Sequence, residues 1–284
     1  MKKYFLLLIT CYAFKTFAQP GTDIILFDID VRPAGIALSN PVNITKHKGY
    51  DNQPFFHKSH VYYSSQVDSG QIDIIRFDDR EKTTRRLTLT DDSEFSPTIT
   101  PDQKFISCIL QRKNGKQDLV KYPVKAGDPK IVIDDLKVGY HTWATNNHLL
   151  LFVLEDTTTF GLHHYNADTK KDIRITGNIG RGLNKIPGKN AVSFIQKDST
   201  GWMIKEYNIQ SGKVGVIMPA LPGRDFLAWT KKGLIIMSDG KEIFFAKPGN
   251  KWQKIEIRSD LPLKNITRLA INEQNTKLAV VISE

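Results

Sequence analysis

The chain has 284 residues, two of them cysteine, with 40% apolar and 25% charged side chains and a formal charge of +10. Such a balance is too apolar for a disordered chain and too poor in cysteine for a disulfide scaffold. Lysine and arginine are scattered, as in Arg85 and Arg86 or Lys170 and Lys171, rather than gathered in one block, which suits a solvated surface and argues against nucleic acid.

In chain order, Lys2 and Lys3 precede an apolar stretch from Tyr4 to Phe14, and Thr16, Phe17 and Ala18 make a small-x-small site before Gln19. This reads as a signal peptide over residues 1–18, too short for a spanning helix. The expected protein is therefore periplasmic or extracellular, with no transmembrane segment. Loss of Lys2, Lys3 and Lys15 with the leader lowers the charge from +10 to +7. Cys11 in LITC matches a lipid-attachment box only loosely, because Thr10 precedes it, and is expected to leave with the leader rather than carry an anchor. Cys108, within FISCIL, then remains as a small buried hydrophobe.

From Asp23 onward one pattern recurs. Strands rich in β-branched and aromatic residues start at Asp23 (DIILFDID), Gln71, Lys116, Gly161, Trp202 and Lys241. Shorter ones follow at Lys82, Lys130, Lys170, Lys213 and Trp252. A third segment then runs through a tight turn into an apolar fourth strand, as in FSPTITPDQKFISCIL from Phe95 and HTWATNNHLLLFVL from His141. The turns align Gln53, Ser96, His141, Leu183, Phe226 and Arg268, with steps of 43, 45, 42, 43 and 42 residues. A period near 43 marks a propeller blade. The fold predicted is all-β, a six-bladed β-propeller of four-stranded antiparallel blades forming a single domain over residues 19–284. Two packed β-sandwiches are the alternative, but sandwiches rarely keep so even a fourfold strand order. The first unit starts with the outer two strands of a blade and the last ends with the inner two. The N- and C-terminal strands should therefore pair and close the ring.

The segment EFSPTITPDQKFISCIL, preceded by RRLTLTDDS, resembles the repeat of TolB-like six-bladed propellers, in which a Leu-Thr strand end leads to Ser-Pro and a Ser-Pro-Asp-Gly turn. NITKHKGYDNQPFFHKSHVYYSS is similar to the same unit, its second turn altered to His57-Lys58-Ser59-His60. The resemblance implies an exported stand-alone propeller, since the extra N-terminal domain of TolB has no room between Gln19 and Asp23.

Ligands of propellers meet the loops at the channel mouth, where the innermost strands begin. The register puts Asp51, Asn52, Gln53, Glu94, Ser96, Tyr140, His141, Trp143, Arg181, Arg224, Asp225, Thr267 and Arg268 there. Guanidiniums suit a carboxylate or phosphate, and Tyr140 or Trp143 offers an apolar face to a sugar or side chain. Arg181, His141, Glu94 and Asp225 lead this set, although pairing among these groups would fix blade against blade equally well.

Other motifs are weaker. His57 and His60 occupy a turn rather than a helix face, and His163 and His164 must face opposite sides of a strand. GNIGRG from Gly177 to Gly182 lacks the helix and lysine-serine pair of a phosphate loop, and no Gly-x-Ser-x-Gly elbow is present. Asn43 and Asn265 head glycosylation acceptors that matter only in a eukaryotic secretory route. The favoured function is non-enzymatic binding of a polar or anionic ligand, peptide, glycan or envelope protein by a monomer, with no cofactor or metal. The alternative is a hydrolase or lyase on a glycan or peptide, using His141 with Glu94 or Asp225, with metal assistance from Asp51, Glu94 and Asp225.

Overall fold

Strands such as HLLLFVL (His148–Leu154) and KLAVVIS (Lys277–Ser283) are apolar at every interior position, and all their interior residues are buried. A strand of this kind needs cover on both faces, and a ring of blades supplies it, each sheet being sandwiched between two others. The structure, a computed structural model, describes residues 21–32, 35–67, 70–125, 127–156, 159–199 and 201–284. The leader read over 1–18, with Cys11, lies outside them. The described residues form six antiparallel blades and no helix.

From the channel outward, the second blade comprises Asp51–His57, His60–Gln66, Ile72–Asp78 and Thr83–Arg86. The third comprises Ser93–Ile99, Phe105–Gln111, Gln117–Pro123 and Lys130–Ile133. The fourth runs through Val138–Trp143, His148–Leu154, Phe160–Asn166 and Lys171–Gly177. The fifth and sixth begin with two-residue inner strands, Asn184–Lys185 and Ala228–Trp229. The first blade is built from both chain ends: Arg268–Ile271 and Lys277–Ser283 pair with Thr22–Arg32 and Gly35–Asn43. Thr22 meets Ser283 and Asp28 meets Lys277 along one antiparallel ladder, and Lys277 Nζ lies 2.7 Å from Asp28 Oδ1. Ring closure therefore uses backbone hydrogen bonds, as the phase of the repeat predicts.

Core clusters coincide with the interfaces between blades. Val280 faces the sixth blade with Ile236 and Phe245, while its neighbours Ala279 and Val281 face the second with Val61 and Tyr63, the period of two expected of a strand. The contact between second and third blades has the smallest cluster, Ile74, Cys108, Leu110 and Val120. Cys108 is fully buried, and burial pushes its thiol well above the ordinary range. Polar groups share this interface, notably Asp73 and Glu94, both 0% exposed.

The outer edge departs from the even repeat in one place. The segment from Trp252 divides: Gln253–Lys254 pairs with Phe244 and Phe245, whereas Glu256–Arg258 crosses over and pairs in parallel with Ala37–Ser39 of the first blade. Ile255 between them is fully buried against that blade. Burying this one side chain moves the chain to the next sheet and covers an edge that would otherwise be open.

Candidate functional site

At the inner strands of the second and third blades, Gln53 and Ser96 adopt φ of 60° and 57°, and the strand register shifts between Asn52 and Phe55 and between Phe95 and Thr98. These bulges re-aim the side chains on either side. Gln53 Oε1 accepts the Ser96 N–H at 2.7 Å and the Ser64 hydroxyl at 2.8 Å, tying the two blades together at the channel.

The channel is an hourglass. A wide cavity of about 750 Å³ opens at one end and a narrower one of about 450 Å³ at the other, and Gln53, Tyr140, Arg181, Phe226, Arg268 and Leu269 border both. Those six residues are the waist. The Arg268 guanidinium carbon lies 3.9 Å from the Phe226 ring centre and 5.3 Å from that of Tyr140, while Arg181 lies 5.3 Å from Phe226. Both arginines thus rest on aromatic faces. Arg181 Nε donates to Asp225 Oδ2 at 2.9 Å. Among the described residues no carboxylate is paired with Arg268.

The arginines mark their neighbours. Burial raises the Tyr140 phenol, but Arg268 and then Arg181 beside it outweigh burial and hold it below its ordinary value. Tyr50, which also lines the wide cavity, is pushed up to about 12 because burial dominates there.

GNIGRG delivers Arg181. Gly180 N–H donates to Ile195 O and Gly182 N–H to Asp225 O, both within 2.8 Å. A Cβ on Gly182 would sit 2.3 Å from Asp225 O and one on Gly180 2.4 Å from Asp225 Cβ. The glycines therefore serve close approach of two loops rather than phosphate cradling.

Eight of the thirteen sequence candidates line the wide cavity: Asn52, Gln53, Tyr140, Arg181, Arg224, Asp225, Thr267 and Arg268. Arg224 Nη2 donates to the Asp239 carbonyl, and Thr267 Oγ1 is buried with no hydrogen-bond partner among the described residues. Ser96, His141 and Trp143 border the narrow cavity instead. His141 Nε2 is 2.8 Å from Ser107 Oγ, which also accepts the Trp143 indole N–H at 2.8 Å. Burial drives the His141 imidazole down to about 3, so it is neutral near pH 7. Ser193 and Trp229 repeat the serine-indole bond two blades on, at the same 36-residue separation. Trp143 is thus one of a pair of polar latches between blades.

Asp51 and Glu94 line neither cavity. Both are 0% exposed, behind the channel wall. Glu94 Oε1 accepts from Thr90 Oγ1 at 2.5 Å and Tyr122 OH at 2.9 Å, and burial pushes its carboxyl up to about 7. Asp51 lies 3.2 Å from His47 Nε2, and its pKa is raised to about 6 by burial. Among the described residues no three histidine, cysteine or acidic side chains converge as metal ligands. His57 faces His60 across a hairpin turn, and His163 turns to Asp172 while His164 turns to Tyr207. Phe226 and Tyr50 were absent from the sequence set. The signal for Phe226 was its place in the aligned register, beside Gln53 and Arg268.

No protein-family model matches the sequence, and no curated protein matches it. Solved structures do. A protein assigned as TolB from Agrobacterium tumefaciens superposes with TM-score 0.71 at 14% identity, over 94% of this chain and 99% of that one. TolB from Acinetobacter baumannii gives 0.58 at 12% identity, over 93% of this chain and 65% of its own. An oligogalacturonate lyase in complex with manganese gives 0.60 at 11% identity, over 88% and 83%. These identities carry the architecture and not the chemistry. In its fold, the chain is a TolB-like six-bladed β-propeller.

Proposed function

We propose that this protein is an exported binding module whose channel waist captures an anionic group of its ligand. The carrying observation is Arg268, a guanidinium held between Phe226 and Tyr140 at the floor of a 750 Å³ cavity, with no carboxylate partner among the described residues. A cation set on aromatic faces in a partly desolvated funnel is pre-organised for a carboxylate or phosphate. Arg181, paired with Asp225, borders the same waist. The leader read in residues 1–18 supports export, and among the described residues no helix is long and apolar enough to cross a membrane.

The hydrolase or lyase reading asks His141 to share one substrate position with Glu94 or Asp225. Their side chains occupy three separate places: the narrow end, the blade interface and the Arg181 ion pair. Binding without catalysis is therefore the better supported function. Citrate, a compact polycarboxylate, tests it. Citrate should raise the melting temperature of the wild type in a saturable manner and leave a double variant R181Q/R268Q unmoved at matched ionic strength. Equal stabilisation of both proteins would refute the assignment.

A further inference from the structure

The wide cavity has two unlike walls. On the third and fourth blades and the loop that follows, Phe95, Ile109, Phe152, Leu154, Phe160 and Ile179 make a mostly apolar wall, interrupted by Gln111 and Gln117. Phe152 and Phe160 stack with centroids 5.0 Å apart. Opposite, from the sixth blade round to the second, stand Ser238, Asn265, Thr267, Ser283 and Asn52. Two of the lining residues, Thr267 and Gln117, carry an oxygen, Oγ1 and Oε1, that is buried behind the surface and has no hydrogen-bond partner among the described residues, a condition proteins avoid unless something else satisfies them. At the floor, the waist includes a cation, Arg268, that has no carboxylate partner among the described residues.

Each feature restricts the ligand. Because Arg268 stands at the waist itself, an anion bound there belongs at the leading end of a ligand that enters from the wide side. One guanidinium without a carboxylate partner among the described residues suits a single negative group, because Arg181 is already neutralised by Asp225. Above that point the ligand must present apolar surface to one wall and hydrogen-bonding groups to the other. An extended peptide does this, with side chains alternating about a backbone of donors and acceptors. A uronate oligosaccharide does not, since each ring carries a carboxylate and hydroxyls that would face Ile109, Leu154 and Ile179. The volume, about 750 Å³, lies within the 300–1,000 Å³ common for ligand sites.

We infer that the wide funnel reads the free C-terminus of an extended peptide with an apolar last residue, its carboxylate on Arg268 and its terminal side chain against Phe152 and Phe160. This rests on the anion-binding reading of the waist and narrows it.

Fluorescence anisotropy with an N-terminally labelled Gly-Ser-Gly-Val-Phe peptide tests the inference. On the wild type, the free acid should bind at least 30-fold more tightly than its C-terminal amide, and at least 10-fold more tightly than the peptide ending in Ser. R268Q should bind acid and amide alike, and F160A should lose the preference for Phe over Ser. The acid-amide comparison uses only the wild-type protein, so it stands even if a variant folds poorly. Acid and amide binding within threefold of each other, or trigalacturonate binding where the peptide does not, would overturn the peptide assignment while citrate binding upholds the anion site. A wild type that binds none of citrate, peptide and trigalacturonate would overturn both.

Discussion

Replacing Glu94 by glutamine should stabilise the protein at neutral pH. The carboxyl is buried between the second and third blades near Asp73, and burial raises its pKa from 4.5 to about 7, against the opposing hydrogen bonds from Thr90 and Tyr122. A raised carboxyl means that the folded state binds the proton more tightly than the unfolded chain does. Stability from this group is therefore complete below pH 4.5 and is lost as pH rises from there to about 7, the reverse of an ordinary salt-bridged carboxylate. At 1.36 kcal/mol per pH unit, the interval corresponds to about 3 kcal/mol of destabilisation at pH 7.5. Glutamine keeps the oxygen that accepts from Thr90 and Tyr122. Its amide N–H occupies the position of Oε2, which has no partner among the described residues, and can donate toward Asp73. In thermal unfolding followed by circular dichroism, E94Q should gain roughly 5 °C over wild type at pH 7.5, the equivalent of about 3 kcal/mol for a chain of this size. Near pH 5 the two proteins should nearly coincide. E94A should lose stability at both pH values, because it orphans the Tyr122 hydroxyl and opens a cavity. An E94Q protein that melts lower than wild type at pH 7.5, or that keeps the wild-type dependence on pH, would refute the reasoning.

R268Q should return the Tyr140 phenol toward or above its ordinary value, since Arg268 is the main charge holding it down against burial; ultraviolet titration of the wild type and variant at 295 nm reads this directly. G182A should cost about 2 kcal/mol or more, as an overpacked contact does, because its Cβ would meet Asp225 O at 2.3 Å and separate the loops that place Arg181. Urea denaturation measures that loss, and an unchanged midpoint would contradict it. W143F and W229F should each cost about 1 kcal/mol beyond any packing change, by loss of the matching bonds to Ser107 and Ser193. A silent substitution at either tryptophan in the same denaturation series would show that the two latches are not equivalent.

Blade number, strand order and ring closure were legible in the chain alone, because they depend on local features: a recurring turn, a mostly apolar fourth strand, and the phase at which the pattern starts and stops. The outer strand Thr83–Arg86, exposed at all four residues, and the buried Cys108 were legible for the same reason. Spacing also brought Arg181, Asp225 and Arg268, far apart in sequence, to one rim. It could not tell channel from wall. Whether an inner-strand residue faces the axis depends on the bulges at Gln53 and Ser96 and on what the next blade offers it. Tyr122 and Thr90 draw Glu94 into an interface, and Ser107 occupies His141 and Trp143. The crossing of Glu256–Arg258 to the first blade likewise follows from the burial of Ile255 against a surface that exists only once the ring has formed. Sequence by itself determined the scaffold through periodicity. Only the tertiary structure decided which polar groups are spent holding blades together and which remain to meet a ligand, because that division is made by partners contributed from neighbouring blades.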